Sequence, residues 1–176
     1  MIELPQKFKE SLGSGVRTSL YPLVRIYEGI KIDDDISEAT NIVGLSTKNV
    51  SIKDSNGQYQ DYHPLLLSSP SLSSKADIIN NKYTISSVSL KISNSNYRGE
   101  VFSDTLLNYL NTVCQVYYCS NGIDSIDDCL LVYTGTIRRY NQDSENVQLT
   151  LEDLTQQKLS TKIPASVIES DEYYKE

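Results

Sequence analysis

Residues with catalytic chemistry are few in this chain, and none stands where a nucleophile would be activated. His63 is the single histidine and lies in Tyr62-His63-Pro64, so a Ser–His–Asp triad would have to use it as the base. The sequence has no GxSxG turn to present a serine, and Cys–His catalysis lacks a comparable context. We therefore interpret His63 as a residue of the surface or of a strand edge, and we expect that the protein is not an enzyme.

Phosphate-binding and metal-binding patterns are also missing from the sequence. The segment 13–15 reads Gly-Ser-Gly, which is too short for GxGxxG and is not followed by GK[ST]. The acidic groups Asp33-Asp34-Asp35 and Asp124, Asp127 and Asp128 lack EF-hand spacing. We interpret them as solvated loop acids and expect neither a metal nor a cofactor. Composition leaves a glycosidase carboxylate pair open, although the chain has no Trp on which a sugar would stack.

The three cysteines, Cys114, Cys119 and Cys129, do not form a recognisable disulfide framework or zinc site. Their number is odd and no CxxC spacing occurs among them. Cys119 and Cys129 could face each other across a hairpin. We expect instead that all three are free, buried thiols that act as small apolar residues.

Charge and size restrict the function further. The chain has 176 residues and a net charge of −7, with a pI of about 4.7. This length suits one domain with extensions, and the acidic balance argues against a nucleic-acid reader, which carries a basic stripe. Arg138-Arg139 is the only adjacent basic pair, and we interpret it as a solvated strand end. The 13 Tyr, against 2 Phe, suit either surfaces that assembly buries or the high β propensity of Tyr.

Targeting signals are absent from the sequence itself. The opening MIELPQKFKESLG lacks the apolar core of a signal peptide, and no run approaches the roughly 18 apolar residues of a membrane span. We expect no membrane contact and synthesis in a reducing cytoplasm. We divide the chain into an N-terminal arm at 1–20, a β domain at 21–164 and an acidic tail or linker at 165–176.

The periodicity predicts a mainly β fold, an antiparallel β-barrel or sandwich. Val147, Leu149 and Leu151 alternate with polar residues as in a half-buried strand. A long strand is predicted from Asn81 to Asn94, with a β-bulge at Ser86-Ser87 where the apolar phase flips. Tyr21 to Tyr27 is predicted as the first strand.

Two helices are predicted alongside the strands. Leu4, Phe8 and Leu12 share one face of a short N-terminal helix. An internal helix is predicted from Phe102 to Thr112, capped by Ser103 or Asp104, with an apolar face formed by Leu106, Leu107 and Leu110.

Two blocks carry a resemblance to a known family. One is Asn81 to Asn94, followed by Tyr97-Arg98-Gly99 and Phe102-Ser103-Asp104; the other is Tyr133-Thr134-Gly135-Thr136-Ile137 with the strand from Val147 to Leu151. Their order, from about Asn41 to Pro164, resembles the β-barrel modules of tail hub and baseplate proteins in tailed bacteriophages. In that family a strand ends in an asparagine, a helix crosses over, a hairpin returns with a G-x-I element, and a last strand precedes an L…P exit.

The resemblance implies a tail-tube-type module that forms a three- or six-fold ring around the tail channel with other tail proteins. The protein would be located in the virion tail after assembly in the host cytoplasm, and DNA would pass through the lumen without specific binding. Known hubs usually pair two such modules, whereas this chain has one. We expect the N-terminal segment, the Ser68 to Ser74 loop and the tail after Pro164 to contact neighbouring subunits. The residues expected at the interface are Leu4, Phe8, Leu12, Tyr97, Tyr173 and Tyr174.

Other interpretations of the sequence remain open. The main alternative is a β-sandwich that binds a glycan or a receptor, and a third is a carboxylate-based hydrolase. Stoichiometry separates the first two, because a ring component occurs in multiples of three or six beside other tail proteins. A binding module acts as a monomer or as a free trimer.

Overall fold

A six-stranded antiparallel sheet dominates the fold, in the order β2-β1-β10-β11-β12-β7. The computed structural model describes residues 4–13, 19–31, 33–70, 75–77, 82–84 and 87–153. The strands are β1 (Leu20–Tyr27), β2 (Ile42–Ser46), β3 (Val50–Lys53), β4 (Tyr59–Tyr62), β5 (Lys75–Asp77), β6 (Lys82–Thr84), β7 (Val88–Ser93), β8 (Asn96–Tyr97), β9 (Glu100–Val101), β10 (Val113–Ser120), β11 (Leu130–Gln142) and β12 (Asn146–Asp153). Helix α1 is Gln6–Gly13, and 3-10 turns occupy Ile36–Glu38, Phe102–Tyr109 and Ile126–Asp128. The mainly β prediction is confirmed.

The inner face of this sheet holds the main core. Alternate residues of each strand point inward, because side chains of a strand alternate between its two faces. The predicted set on β12 is buried, as is its partner set on β7, where Leu149 pairs with Leu90 and Leu151 with Val88. The register shifts between Val116 and Tyr117 and between Ile137 and Arg139 bend β10 and β11, so that the sheet curls.

A short segment joins the two edges of the curled sheet and closes it into a barrel. His63 donates its backbone N–H to the Gly44 carbonyl and accepts from Ser46, both at 2.9 Å, on edge strand β2. On the opposite edge, Leu67 donates to Lys91 at 2.9 Å and Ser93 donates to Leu65 at 2.7 Å. Residues 63–67 therefore bond to β2 on one side and to β7 on the other. Unpaired edges invite pairing with other chains, and this segment satisfies part of both.

The outer face of β1 and β10 is covered as well. Phe8 from α1 and Ile52 and Tyr62 from the β3–β4 hairpin pack there around Leu23 and Cys119, in a second apolar cluster. The turn of this hairpin contains Asn56-Gly57, and Gly57 has the positive φ, +79°, that a tight hairpin turn needs. Strand β1 is consequently buried on both faces from Tyr21 onward.

Glycine at position 44 lets the hairpin cross β2 closely. A Cβ there would lie 2.4 Å from the Asp61 carbonyl oxygen and 3.1 Å from the Tyr62 ring. Backbone cannot yield as a flexible side chain does, so only glycine fits without moving β4. This contact fixes the hairpin against the sheet.

The predicted strand from Asn81 to Asn94 is divided into two strands. Strand β6 pairs with β5, whereas β7 pairs with β12 in the main sheet. The change in apolar phase therefore coincides with a change of partner strand, which corrects the expected β-bulge within one continuous strand. Ser86 itself lies outside the described residues.

The internal helix occurs where it was predicted, but its turns are of the 3-10 type and end at Tyr109. Val101 occupies the cap position in place of Ser103 or Asp104, and the Ser103 N–H is instead bound by the Asn94 side chain at 2.9 Å. Phe102, Leu106 and Tyr109 are buried, and Leu107 is 73% exposed. The predicted apolar face was therefore wrong for Leu107, since the tighter winding turns that side chain outward.

All three cysteines are free and buried, as expected. Burial raises the pKa of the Cys114 thiol. Contact with the Cys129 thiol lowers the pKa of Cys119 and raises that of Cys129. The two thiols therefore do face each other across the β10–β11 hairpin. Among the described residues, no helix is long and apolar enough to cross a membrane.

Two neighbouring leucines test the closing segment. Leu66 is 3% exposed in the main core, whereas Leu67 is 50% exposed. Leu66→Ala should lower the free energy of unfolding by about 2–5 kcal/mol because it leaves a cavity in the barrel. Leu67→Ala should cost less than about 1 kcal/mol. Urea unfolding measures both, and equal losses would contradict the inward placement of Leu66.

Candidate functional site

A polar cleft of about 680 Å³ lies on the outer face of the barrel. Its floor is formed by the outward residues of β1 and β10, namely Arg25, Tyr27, Gln115 and Tyr117. Its walls are residues 36–42, the turn of the β3–β4 hairpin, and residues 126–131. The cleft occupies the part of the outer face that α1 and the hairpin leave uncovered. It is therefore a recess on the barrel surface that is open to a ligand or a partner.

Arg25 is the main charge at the floor of the cleft. It lies within the run Leu23-Val24-Arg25-Ile26 of β1, whose other residues are apolar. Because side chains alternate between the two faces of a strand, the Arg25 guanidinium points away from the barrel core. The side chain is only 5% exposed. Its Nε donates a hydrogen bond of 2.6 Å to the Tyr62 hydroxyl, while Nη2 has no hydrogen-bond partner among the described residues. A buried guanidinium with an unsatisfied N–H group is costly unless an acceptor reaches it.

Two tyrosines and a glutamine surround this guanidinium. Gln115 is paired with Arg25 across the β1–β10 ladder. Its Oε1 accepts hydrogen bonds from the Tyr27 hydroxyl at 2.5 Å and the Tyr117 hydroxyl at 2.8 Å. Burial raises the pKa of Tyr117, and it raises the pKa of Tyr62 to about 12 although Arg25 opposes the shift. These phenols are neutral at physiological pH and serve as fixed hydrogen-bonding groups.

The other charges of the cleft are already engaged. Asp54 accepts the backbone N–H groups of Asn56 and Gln58 within the hairpin turn. Asp127 accepts the Ser55 hydroxyl at 2.6 Å. Arg98, on the remaining side, donates to the Asn41 side chain at 3.2 Å. Among the described residues that line the cleft, the buried side-chain group left without a hydrogen-bond partner is thus the Arg25 Nη2 at the floor.

The arrangement favours binding over covalent chemistry. Its groups are a fixed cation, neutral phenols and an amide, which together recognise an acceptor such as a carboxylate. Nowhere in the described part of the chain do three or more His, Cys, Asp or Glu side chains form a group that could hold a metal ion. What the cleft offers is therefore a charged hydrogen-bond donor inside a polar recess.

His63 and Tyr97 form a second polar-aromatic feature, beside the closing segment. The His63 ring meets Tyr97 edge-on with centroids 5.0 Å apart, and Tyr97 meets Phe102 at 5.7 Å. Arg98 lies over the Tyr97 ring at 5.1 Å. Burial raises the pKa of Tyr97 to about 12, and its hydroxyl has no hydrogen-bond partner among the described residues. His63 therefore lies at a strand edge, where the sequence suggested, and packs against an aromatic ring.

The residues expected at a subunit interface differ in how far they are buried within their own chain. Phe8 and Tyr97 are buried within their own chain, at 2% and 3% exposure. The N-terminal segment therefore packs on its own core through Phe8, and contact of Phe8 and Tyr97 with a neighbour stays a prediction. Leu4 is half-buried against the same cluster as Phe8, and Leu12 is exposed. Contact of Leu12 with a neighbour stays a prediction, while Tyr173 and Tyr174 lie outside the described residues.

No local sequence pattern predicted the cleft, although one signal was present. An arginine in the middle of a strand that is otherwise apolar needs a partner for its charge wherever the strand is buried. The partner, Tyr62, is 37 residues away along the chain, so no local pattern connects the two. Six of the tyrosines are buried within the chain itself: Tyr21, Tyr27, Tyr62, Tyr97, Tyr109 and Tyr133.

Comparison with known proteins shows the fold alone. No family model matches the sequence, and no curated protein matches it. Among solved structures, the chain is similar to a chain of the virion of a native gene transfer agent particle, with a TM-score of 0.57 and 12% sequence identity. The match covers 93% of this chain and 49% of the other, so this chain spans about half the length of the structure it resembles.

Two buried hydroxyl groups test the Arg25 network. Tyr62→Phe removes the acceptor of the Arg25 Nε bond and should lower the free energy of unfolding by about 1.5–3 kcal/mol, because the guanidinium is charged and buried. Tyr97→Phe removes a hydroxyl without a partner and should leave stability unchanged or raise it. Denaturant unfolding compares them, with exposed Tyr59→Phe as the control. A loss for Tyr97→Phe equal to that for Tyr62→Phe would contradict this network.

Proposed function

We propose that this chain is a non-enzymatic structural protein of a phage-type virion and, more narrowly, a hub or adaptor of the tail that assembles in a ring. The observation that carries the proposal is the likeness of its fold, over 93% of its length, to a chain of a gene transfer agent virion. The order of its strands, internal helix and return hairpin, which resembles tail hub modules, supports the same assignment.

The packing of the barrel supports a particular location for any DNA channel. Apolar side chains fill the interior, including Val24, Leu45, Leu90 and Leu149, which are fully buried. DNA would therefore pass between subunits arranged around an axis rather than through one barrel. A net charge of −7 suits that role, because such a wall repels phosphate instead of binding it.

The non-enzymatic part of the proposal is supported by the chemistry of the cleft. Its floor presents a guanidinium, an amide and phenols whose pKa values burial raises, as at Tyr62 and Tyr117. A general base with a pKa near neutrality, or a nucleophile paired with one, would be the expected sign of hydrolysis. The groups present recognise a partner instead.

The alternative function is recognition of a glycan or a receptor, and the open polar cleft favours it. Tyrosine and amide side chains such as Tyr27 and Gln115 suit sugar hydroxyl groups as well as peptides. Stoichiometry separates the two functions. A virion component co-purifies with particles in a fixed ratio, in multiples of three or six for a ring, whereas a free binding module does not.

Removal of residues 165–176 tests the assembly role. In cells that produce the particles, we expect the full chain to be incorporated at a fixed ratio and the truncated chain to be incorporated about tenfold less. The truncated protein should keep its far-UV circular dichroism spectrum, because all the described strands lie at or before Asp153. Quantitative mass spectrometry of purified particles measures incorporation.

The matched control for length is a chain in which a Gly/Ser segment of equal length replaces the last twelve residues. It should fail as the truncated chain does, since the side chains are expected to make the contact. Equal incorporation of all three chains would remove the tail from the account. Absence of the full chain from the particles would reject the virion role itself.

A further inference from the structure

We propose that the Arg25 cleft receives the acidic C-terminal segment, residues 165–176, of a second copy of this chain. The inference rests on the proposed function, since it names the partner and the contact through which copies assemble. A carboxylate of the segment accepts the hydrogen bond that the Arg25 guanidinium leaves unmade, and its tyrosines pack on the apolar wall of the cleft.

The unsatisfied N–H group of the Arg25 guanidinium indicates which kind of acceptor would bind in the cleft. The Arg25 side chain is only 5% exposed, and its Nη2 is a buried donor that lacks a partner among the described residues. Arg25 is also one of the residues that line the cleft. A carboxylate is the acceptor that best matches a guanidinium, because it takes two parallel N–H groups and carries the opposite charge. The side chains beside it on the floor, Gln115, Tyr27 and Tyr117, carry no carboxylate that would repel such a ligand.

The C-terminal segment has the matching composition. It reads ASVIESDEYYKE, with Glu169, Asp171, Glu172 and Glu176 against the single base Lys175. Two aromatic residues directly follow two of the acids, so one short stretch offers both a carboxylate and an apolar ring. Ile36, Ile42, Ile126 and Leu131 line the walls of the cleft beside the polar floor and suit such rings.

The length of chain is sufficient for the segment to reach a neighbouring copy. Strand β12 ends at Asp153. Across the sheet, Asp153 pairs with Gly135, Gly135 pairs with Cys114, and Cys114 pairs with Ile26, which is next to Arg25 in the sequence. Seventeen residues, 154–170, precede Asp171 and span up to about 55 Å when extended. The described sheet thus ends level with the cleft, and the length of chain after Asp153 is enough to reach a neighbouring subunit.

A contact between a tail and a cleft is heterologous, since two different surfaces of one protein meet. Contacts of this type repeat from copy to copy and close into a ring when the rotation allows. A segment docked in the cleft of its own chain would join no copies, which is why we assign the occupant to a second copy. The acids on the cleft wall, Asp54 and Asp127, accept hydrogen bonds from the protein itself, whereas the charge at the floor is the Arg25 cation.

Photo-cross-linking of the full chain tests this inference in the absence of particles. The photoreactive residue p-benzoylphenylalanine replaces Tyr173 in an unlabelled chain, which is mixed with an excess of ¹⁵N-labelled natural chain and irradiated. We expect mass spectrometry to find unlabelled tail peptides joined to labelled peptides from the cleft, those that contain Arg25, Gln58 or Leu131. Cross-links confined to one chain, to surfaces outside the cleft, or absent altogether would overturn the inference.

Matched variants identify the charge contact. Arg25→Gln in the labelled chain should lower the yield of cleft cross-links about tenfold, the effect of losing one charged hydrogen bond. Arg139→Gln, on an exposed side chain away from the cleft, should leave the yield unchanged. Asp171→Asn with Glu172→Gln in the photoreactive chain should lower it as Arg25→Gln does. Because these two changes lie outside the barrel, they still test the contact if Arg25→Gln does not fold.

An undiminished yield of cleft cross-links from the tail variant would overturn the inference. A yield that falls as far for Arg139→Gln as for Arg25→Gln would also overturn it. The result is independent of the virion role, because the purified chain is used alone. A chain that enters particles but cross-links elsewhere rejects only this contact. A chain that cross-links as expected but never enters particles rejects the virion role and leaves the contact standing.

Discussion

The rest of the structure depends on the closure of the curled sheet by residues 63–67. Without this segment, β2 and β7 would be the free edges of a six-stranded sheet, with unpaired backbone groups and an open core. The segment bonds to Gly44 and Ser46 on one edge and to Lys91 and Ser93 on the other. Leu65 and Leu66 fill the seam between them from within. Closure therefore supplies backbone hydrogen bonds and apolar burial at the same place.

The same closure positions the cleft. The chain reaches residue 63 directly from β4, so the β3–β4 hairpin must lie across the outer face of β2 and β1, where the absence of a side chain at Gly44 admits it. Tyr62 at the end of that hairpin then meets Arg25 on β1. The hairpin covers one part of the outer face and forms a wall beside the other, which leaves the guanidinium buried at the floor of an open recess. The polar groups of the cleft therefore lie on the outside of the barrel, while its interior is apolar.

Part of this fold could be predicted from the sequence, and the parts that could not share a physical cause. β12 and β7 alternate apolar and polar residues because one face is wet, so their periodicity indicated both the strands and the core. β1 is buried on both faces, and nothing local distinguishes the inward Val24 from the outward Leu23. The closing segment contains Pro64, which donates no N–H, and its bridge partners lie 18 and 26 residues away along the chain. Such contacts arise only from the tertiary fold, which is also why the partnership of Arg25 and Tyr62 escaped the sequence analysis.

Native-state hydrogen exchange at the seam tests this account most directly. Amide protons of Leu66 and Leu67, which bond to Ser46 and Lys91, can be followed by NMR beside those of the central strand β10. If closure holds the barrel together, the seam amides exchange only through global unfolding, with the same free energy of opening as the β10 amides. Exchange at the seam that is faster by orders of magnitude, while β10 stays protected, would show an open half-barrel and would contradict the account.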